Sequence, residues 1–241
     1  MFYTRKCGEI EESDFGSEQT LCGWLQDTRN LGGIAFLQLR DITGVIQLTL
    51  LKKKLGDENF KSWANINRES IILVRGIVKE NKEAPGGVEM LPDNIELMNE
   101  AETPLPLGVI DKIDSEIETR LNARYLDLRK TEIAANFQIR AAISGAVHKH
   151  LRRENFLEVQ TPKIIASATE GGTSLFEMKY FDKTAYLAQS PQLYKQMLMS
   201  GGLERVYEVG PAFRAEEHNT PRHLNEFISI DIEMSFADDD V

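Results

Sequence analysis

The sequence predicts an α+β chain: a five-stranded β-barrel over residues 1–103, a linker or hinge over 104–130, and an antiparallel sheet with helices over 131–241. Three observations carry that division. The first ~100 residues break into short alternating stretches punctuated by glycine. Residues 131–156 carry a helical apolar period. Between them "NEAETPLPLGVID" holds Pro104 and Pro106, which bias the backbone toward an extended connection.

In order, "LCGWLQDTRN", "IAFLQLRD", "GVIQLTLL", "SIILVRGIVKE" and a segment within "VEMLPDNIELMN" read as strands. Gly32–Gly33 and Pro85–Gly87 are turns, and "DENFKSWANINRES" is a helix between the third and fourth strands. Five short strands and one helix predict a closed barrel of the OB type; the same count fits an SH3-like barrel or a small sandwich. Because strand side chains alternate faces, Ala35, Leu37 and Leu39 mark a core face that turns Phe36 outward beside Gln38 and Arg40. On the next strand Ile46, Leu48 and Leu50 turn Gln47 outward. A ring that stacks on a base and an amide that bonds its edge are what such barrels use to hold single-stranded nucleic acid. A solvated face with one exposed aromatic is the plainer reading.

The second region opens with an amphipathic helix on which Ile133, Phe137, Ala141, Val147 and Leu151 recur. His148 and His150, two apart, fall on different sides of it, which argues against a shared metal site. "FLEVQTPKI" reads as a strand ending at Pro162, followed by the loop "SATEGGTS" and a hairpin through "FDKTAYLAQ". "SPQLYKQMLM" is a helix with Ser190 as N-cap and Pro191 in its first turn. Gln192 and Lys195, three apart near its positive end, suit a small acid.

The last two strands are "RVYEVGPAFRAEE" and "RHLNEFISIDIEMSF". The second has an apolar face of Ile228, Ile230, Ile232, Met234 and Phe236, expected to pack, and a displayed face of Phe227, Ser229, Asp231, Glu233 and Ser235. Arg214 and Glu216 share a face with Glu208, and pairing around "EHNTP" merges the two polar faces. An ion-pair ladder would account for the charges. It would not account for one ring, Phe227, on a polar face, nor for an arginine- and histidine-bearing loop. A nucleotide accounts for both: Phe227 under a base, Arg214 and His223 near phosphates, and carboxylates orienting an amine or a metal. Neither GxxxxGK[ST] nor GxGxxG occurs, which disfavours phosphate-loop and Rossmann nucleotide binding.

Composition bounds the rest. With 241 residues, 41% of them hydrophobic, the chain can bury a real core. Two cysteines make no disulfide framework, so a reducing cytoplasm is expected. The first twenty residues lack the apolar stretch of a signal peptide, and no apolar run approaches the ~18 residues of a membrane span. A net charge of −10 argues against general polyanion binding and confines any nucleic-acid contact to local clusters such as Lys52–Lys54 or "HKHLRR" at 148–153.

Together these segments resemble the class II aminoacyl-tRNA synthetases, and within them the archaeal and eukaryotic type of aspartyl-tRNA synthetase. "ENFLEVQTPKI" resembles motif 1, "FRAEEHNTPRHLNEF" motif 2, and "ATEGGTSLF" with "QSPQLYKQ" the aspartate-pocket segments. The resemblance implies an anticodon-binding OB-fold before the first part of a catalytic domain, ATP and Mg²⁺ as cofactors, L-aspartate and tRNA(Asp) as substrates, and a homodimer formed through motif 1 with Pro162 at its interface. Arg214 would contact the α-phosphate of ATP and the substrate carboxylate, and Glu216 would help place ATP. Arg222, His223 and Leu224 would bind the triphosphate and adenine region, with Phe227 stacked on the adenine. Lys195 would pair with the aspartate side chain beside Gln192, Glu170 would close over it, and Asp231 would help hold its ammonium. Arg29, Phe36 and Gln47 match anticodon-reading positions.

Two further barrel positions bear on tRNA choice. Gln26 fits neither the selective nor the relaxed pattern of the archaeal branch, and Pro85 fits the relaxed one, so tRNA(Asn) is expected as a second substrate. Motif 3, with the metal-binding acid and further arginines of the family, has no match, so no metal ligand is assigned here. The chain is expected to be a fragment, weak or inactive alone. A non-catalytic RNA-binding module derived from a synthetase is the alternative, and asparaginyl- or lysyl-tRNA synthetase the enzymatic rival.

Overall fold

The computed structural model describes residues 2–110, 115–166, 175–218, 220 and 223–238. The chain divides into two compact units, Met1–Ala135 and Asn136–Val241. The described residues of the segment read as a linker, 104–110 and 115–130, fall in the first unit.

That unit holds β1 (Glu18–Asn30), β2 (Ile34–Arg40), β3 (Val45–Leu51), α1 (Lys52–Leu55), α2 (Asp57–Ala64), β4 (Ile71–Glu80) and β5 (Val88–Asn99). The strands close into a barrel in the order β1-β2-β3-β5-β4, with β3 and β5 parallel and the other pairs antiparallel. Alternation on β2 and β3 is as expected: Ala35, Leu37, Leu39, Ile46, Leu48 and Leu50 are buried with Leu21, Leu25, Val74 and Met90. Closure needs Gly76. A Cβ there would lie 2.3 Å from the Leu91 carbonyl oxygen, where β4 and β5 shift register.

Arg40, expected to face outward beside Phe36, is instead buried, at 7% exposure. Its guanidinium donates to Glu69 at 2.8 and 3.1 Å, and Glu69 is itself buried. A buried charge needs such a partner. Arg129 donates to the same carboxylate at 2.8 Å.

Around it, α3 (Ile117–Asn122) and α4 (Arg124–Asp127) enclose a small core of Leu107, Ala123 and Leu126. Asp127 is fully buried, accepts hydrogen bonds from Arg120 and Arg124, and has Lys130 4.0 Å away. The Arg120 hydrogen bond chiefly holds its carboxyl below the ordinary value of 3.8, against the opposing effect of burial. A depressed folded-state value stabilises the fold above the unfolded value and loses that contribution as pH falls through the folded one. Asp127→Asn should therefore lose stability at pH 7 yet lose less than the parent on going to pH 3. Urea titrations at the two pH values, read by tryptophan fluorescence, test this, because both tryptophans, Trp24 and Trp63, lie in this unit. Parallel losses in the two proteins would refute it.

The second unit contains most of α5 (Thr131–Arg153), then β6 (Leu157–Glu158), β7 (Ile164–Ile165), β8 (Glu177–Tyr180), β9 (Lys183–Leu187), α6 (Gln192–Ser200), β10 (Arg205–Phe213) and β11 (Glu226–Met234). One sheet runs β11-β10-β6 and a second β7-β9-β8. The β6 ladder is shorter than expected, two residues parallel to β10, prolonged by the Val159 N–H donating to the Tyr207 carbonyl.

Two burial expectations fail here. Along α5 only Leu151 is buried, while Phe137, Ile139 and Ile143 are more than half exposed. On β11 the faces are reversed: Ile228, Ile230 and Ile232 are exposed, and Phe227, Ser229, Asp231 and Glu233 are half-buried. The reason is α6, which packs against β10 and β11 on the polar side.

Candidate functional site

Residues opposed in an antiparallel pair share a face. The β10–β11 register sets Ala212 against Phe227, Gly210 against Ser229, Glu208 against Asp231, and Val206 against Glu233. The result is a low floor of glycine, alanine and serine, with Phe227 at one end and three carboxylates at the other. A Cβ on Gly210 would already stand 3.2 Å from Glu208 Oε1.

Three adjacent acids need counter-charge, and two lysines supply it. Lys163 Nζ lies 2.9 Å from Glu208. Lys195 Nζ lies 3.4 Å from both Asp231 and Glu233 and donates to the Ile232 carbonyl at 3.3 Å. Lys195 is buried, at 4% exposure, because α6 roofs the carboxylates. The helix starts one residue later than expected, with Pro191 rather than Ser190 as its N-cap, and the Gln192 N–H donates to the Ser190 hydroxyl at 3.3 Å. Gln192 Nε2 then donates to Glu233 at 3.3 Å. Gln192, Lys195 and Asp231 are thus brought together, with Glu233 between Gln192 and Lys195.

The other end of the floor carries Arg214. Strand β10 stops at Phe213, so Arg214 and Glu216 lie beyond it rather than on it. Asn225 ties both down, accepting from the Arg214 N–H at its carbonyl, 3.0 Å, and from the Glu216 N–H at its side chain, 3.1 Å. The Arg214 guanidinium is exposed and sits 5.2 Å over the Phe227 ring, with no hydrogen-bond or ion-pair partner among the described residues. His223 Nδ1 lies 2.7 Å from the Thr220 hydroxyl, and Leu224 is exposed. Glu170 and Arg222 fall outside the described residues.

The sequence missed what anchors the floor from behind. Glu208 is 1% exposed and accepts from the Thr161 N–H at 3.0 Å and the Thr161 hydroxyl at 2.7 Å. Thr161 and Lys163 flank the exposed Pro162, so the loop carrying that proline is fastened to the floor on both sides. On the other face the buried Tyr207 donates to Glu158 at 3.0 Å, beside His148 at 3.0 Å. Burial chiefly raises the Tyr207 phenol, and Arg152 chiefly lowers the Glu158 carboxyl. His150 is elsewhere, against Arg153.

On the barrel, Arg29, Phe36 and Thr49 form one cross-strand row, and Gln38 and Gln47 with Glu89 the next. Phe36 and Gln47 are half-buried and Arg29 is exposed. Gln47 donates to Glu89 at 3.3 Å. Burial opposes the charge on Glu89, but hydrogen bonds from Thr49, Lys79, Asn81 and Gln47 hold its carboxyl below the ordinary value. Glu89 was another omission; it alternates outward from the core residue Met90, and only the parallel β3–β5 pairing brings it to Gln47. Gln26 occupies the bulge between Leu25 and Asp27 and donates to Gln38 at 3.3 Å. Pro85 is exposed in the β4–β5 turn.

Comparison with known proteins covers both parts of the chain. Residues 19–98 match the OB-fold nucleic acid binding domain, and residues 116–241 match the class II tRNA synthetases for D, K and N. The aspartate--tRNA(Asp/Asn) ligase of Methanopyrus kandleri is 57% identical over 223 residues, covering 92% of this chain and 52% of that protein. The aspartate--tRNA(Asp) ligase of Thermococcus kodakarensis is 49% identical over 240 residues, 100% of this chain and 55% of that protein. The chain spans about half the length of these curated relatives. Among solved structures, asparaginyl-tRNA synthetase of Pyrococcus horikoshii complexed with asparaginyl-adenylate superposes with a TM-score of 0.91 at 34% identity, over 99% of this chain and 54% of the other. With an OB-fold nucleic-acid-binding barrel ahead of a domain whose family model covers more than half its length, this chain belongs to the class II aminoacyl-tRNA synthetases of the aspartate, lysine and asparagine group.

Proposed function

We propose that the chain carries the anticodon-reading barrel and the amino-acid- and ATP-binding floor of an aspartate--tRNA ligase. The observation that carries this reading is the charge arrangement on the floor. Two lysines face three carboxylates there, a net charge of −1, next to an arginine whose guanidinium is unpaired among the described residues. An amino acid with an acidic side chain completes it. Its ammonium goes to Asp231, its side-chain carboxylate to Lys195 beside Gln192, and its α-carboxylate toward Arg214. Phe227, His223, Leu224 and Glu216 border the place for ATP, and Glu170 and Arg222 complete the set by resemblance.

In the reaction the aspartate α-carboxylate attacks the α-phosphorus of ATP in line, pyrophosphate leaves, and a hydroxyl of the terminal adenosine of tRNA then takes the aspartyl group and releases AMP. The protein's part is positioning and neutralisation of charge. No group of three or more His, Cys, Asp or Glu disposed to hold a metal occurs among the described residues, so no step is assigned to Mg²⁺ held by them.

Lys195 sets the choice of amino acid. A neutral amide in place of the carboxylate leaves a buried ammonium without its substrate partner, at a cost of a few kcal/mol. In a hybrid with residues 1–241 replacing the matching half of the Methanopyrus kandleri relative, Lys195→Met should reduce the preference for aspartate over asparagine at least ~100-fold in ATP–pyrophosphate exchange. An unchanged preference would remove the aspartate assignment and favour the asparaginyl reading, which the 0.91 superposition supports.

On the barrel, Arg29, Phe36 and Gln47 read the anticodon. Pro85, with the Methanopyrus kandleri relative named for both tRNAs, favours charging of tRNA(Asn) as well as tRNA(Asp). Transcripts of tRNA(Asn) that accept no aspartate would refute this. Homodimerisation through the Pro162 segment accords with the uncovered Phe137, Ile139 and Ile143 of α5. A cytoplasmic setting accords with the absence, among the described residues, of any helix long and apolar enough to cross a membrane.

A further inference from the structure

We propose that Lys163 is a positioning residue that sets specificity for the amino acid. It is a resident cation that saturates Glu208, so that Asp231 is left to take an ammonium and the floor has no second place for one. The inference rests on the reading of this floor as an amino-acid site and deepens it.

Glu208 and Asp231 are direct partners across β10 and β11, so their side chains stand side by side. Their surroundings are opposite. Glu208 is 1% exposed and both of its oxygens are taken: Oε1 by the Thr161 N–H at 3.0 Å and Lys163 Nζ at 2.9 Å, and Oε2 by the Thr161 hydroxyl at 2.7 Å. Lys163 Nζ also donates to that hydroxyl at 3.1 Å, which closes a ring of ammonium, hydroxyl and carboxylate. The backbone under the ring is tied down as well. The Lys163 carbonyl accepts from the Ala188 N–H at 2.9 Å, and the Ala188 carbonyl accepts from the Phe213 N–H at the end of β10 at 3.0 Å. Asp231, by contrast, has its side chain 18% exposed, and its ammonium partner Lys195 is 3.4 Å away and shared with Glu233. One carboxylate is closed to a ligand, and its neighbour is open.

That difference decides where a ligand's charges go. A buried carboxylate stripped of its counter-ion is costly. Without Lys163, Glu208 would draw on the nearest remaining cation, which is either the substrate's ammonium or Lys195. Both outcomes misplace an amino acid whose ammonium belongs on Asp231 and whose side chain belongs on Lys195. The floor would then set one lysine against three carboxylates, which repels a substrate bearing two carboxylates and one ammonium. An amino acid with a second ammonium would gain from the same change. Lys163 thus acts through Glu208 rather than on the substrate.

The test is the kinetics of ATP–pyrophosphate exchange in the hybrid that carries residues 1–241 in the Methanopyrus kandleri relative. Lys163→Met should lower kcat/KM for aspartate roughly tenfold or more, the effect of one uncompensated charge beside the ligand. L-α,γ-diaminobutyrate, which carries an ammonium where aspartate carries its side-chain carboxylate, should inhibit that variant roughly fivefold or more strongly than the parent. Lys163→Met/Glu208→Gln removes both charges and leaves an amide that bonds to Thr161, so it should return kcat/KM to within about threefold of the parent. This double variant has no bare buried charge and decides the matter even where the single variant fails to fold: parent-like kinetics support the role, and a deficit of roughly tenfold overturns it. Parent-like kinetics in Lys163→Met overturn it too. The aspartate reading is judged separately by Lys195→Met. If that variant loses its preference while Lys163→Met behaves like the parent, the counter-ion role falls and the reading stands; if neither change has an effect, both fall.

Discussion

Replacing Arg214 by alanine is expected to slow aspartyl-adenylate formation about 10²–10³-fold, roughly 3 to 4 kcal/mol of transition-state stabilisation. The guanidinium is held from its backbone side by Asn225 and is otherwise committed only to the Phe227 ring at 5.2 Å. It is a fixed, permanently charged fork whose donors are available to a carboxylate and a phosphate at once. As the carboxylate approaches phosphorus, negative charge accumulates where two anions already repel. A cation placed there acts most strongly in the transition state. Because the side chain is exposed and unpaired among the described residues, its removal should leave stability nearly unchanged. That separates chemistry from folding. Arg214→Lys should fall between parent and alanine, since it keeps the charge and loses the fork. Pyrophosphate exchange in a hybrid, with residues 1–241 replacing the matching half of the Methanopyrus kandleri relative, gives the rate, and an undiminished rate would withdraw Arg214 from the reaction.

Sequence pattern disclosed the parts of this site governed by local geometry. Period-two alternation assigned Phe36 and Gln47 to the outer barrel face and put Phe227, Asp231 and Glu233 on one side of β11, and helical spacing put Gln192 and Lys195 together. Alternation names two faces of a strand but does not say which is covered. On β11 that is decided by α6, about thirty residues upstream, so the isoleucine row expected to pack is the exposed one. The amphipathic period of α5 has the same defect, since it marks an apolar stripe without its partner. Arg40 keeps the face that alternation assigned it, but its burial was not legible because it depends on a carboxylate 29 residues away in the chain. Thr161, Lys163 and Glu89 were missed because their partners come from other strands, through pairings no local pattern encodes.

The Arg40 ion pair carries the largest expected effect on stability. Glu69→Ala should destabilise the first unit by about 3 to 5 kcal/mol, the range for breaking a buried ion pair from one side. Arg40 would keep only Gln26 as acceptor, at 3.4 Å, with its side chain 9% exposed and its charge uncompensated. Arg129 would lose the same carboxylate and retain its place over Trp24, 5.1 Å from the ring centroid. The backbone supplies an internal control. Glu69 has φ of 67°, a left-handed conformation that alanine tolerates no better than glutamate and glycine adopts freely. Glu69→Gly should therefore be about 1 kcal/mol less damaging than Glu69→Ala although it removes the same charge. A third variant tests the cause. Arg40→Met together with Glu69→Leu removes both charges and should recover much of the loss, because the cost lies in the stranded guanidinium rather than in the missing attraction. Urea unfolding followed through Trp24 and Trp63 measures all three, and a Glu69→Ala loss under about 1 kcal/mol would mean that solvent, not Glu69, balances the Arg40 charge.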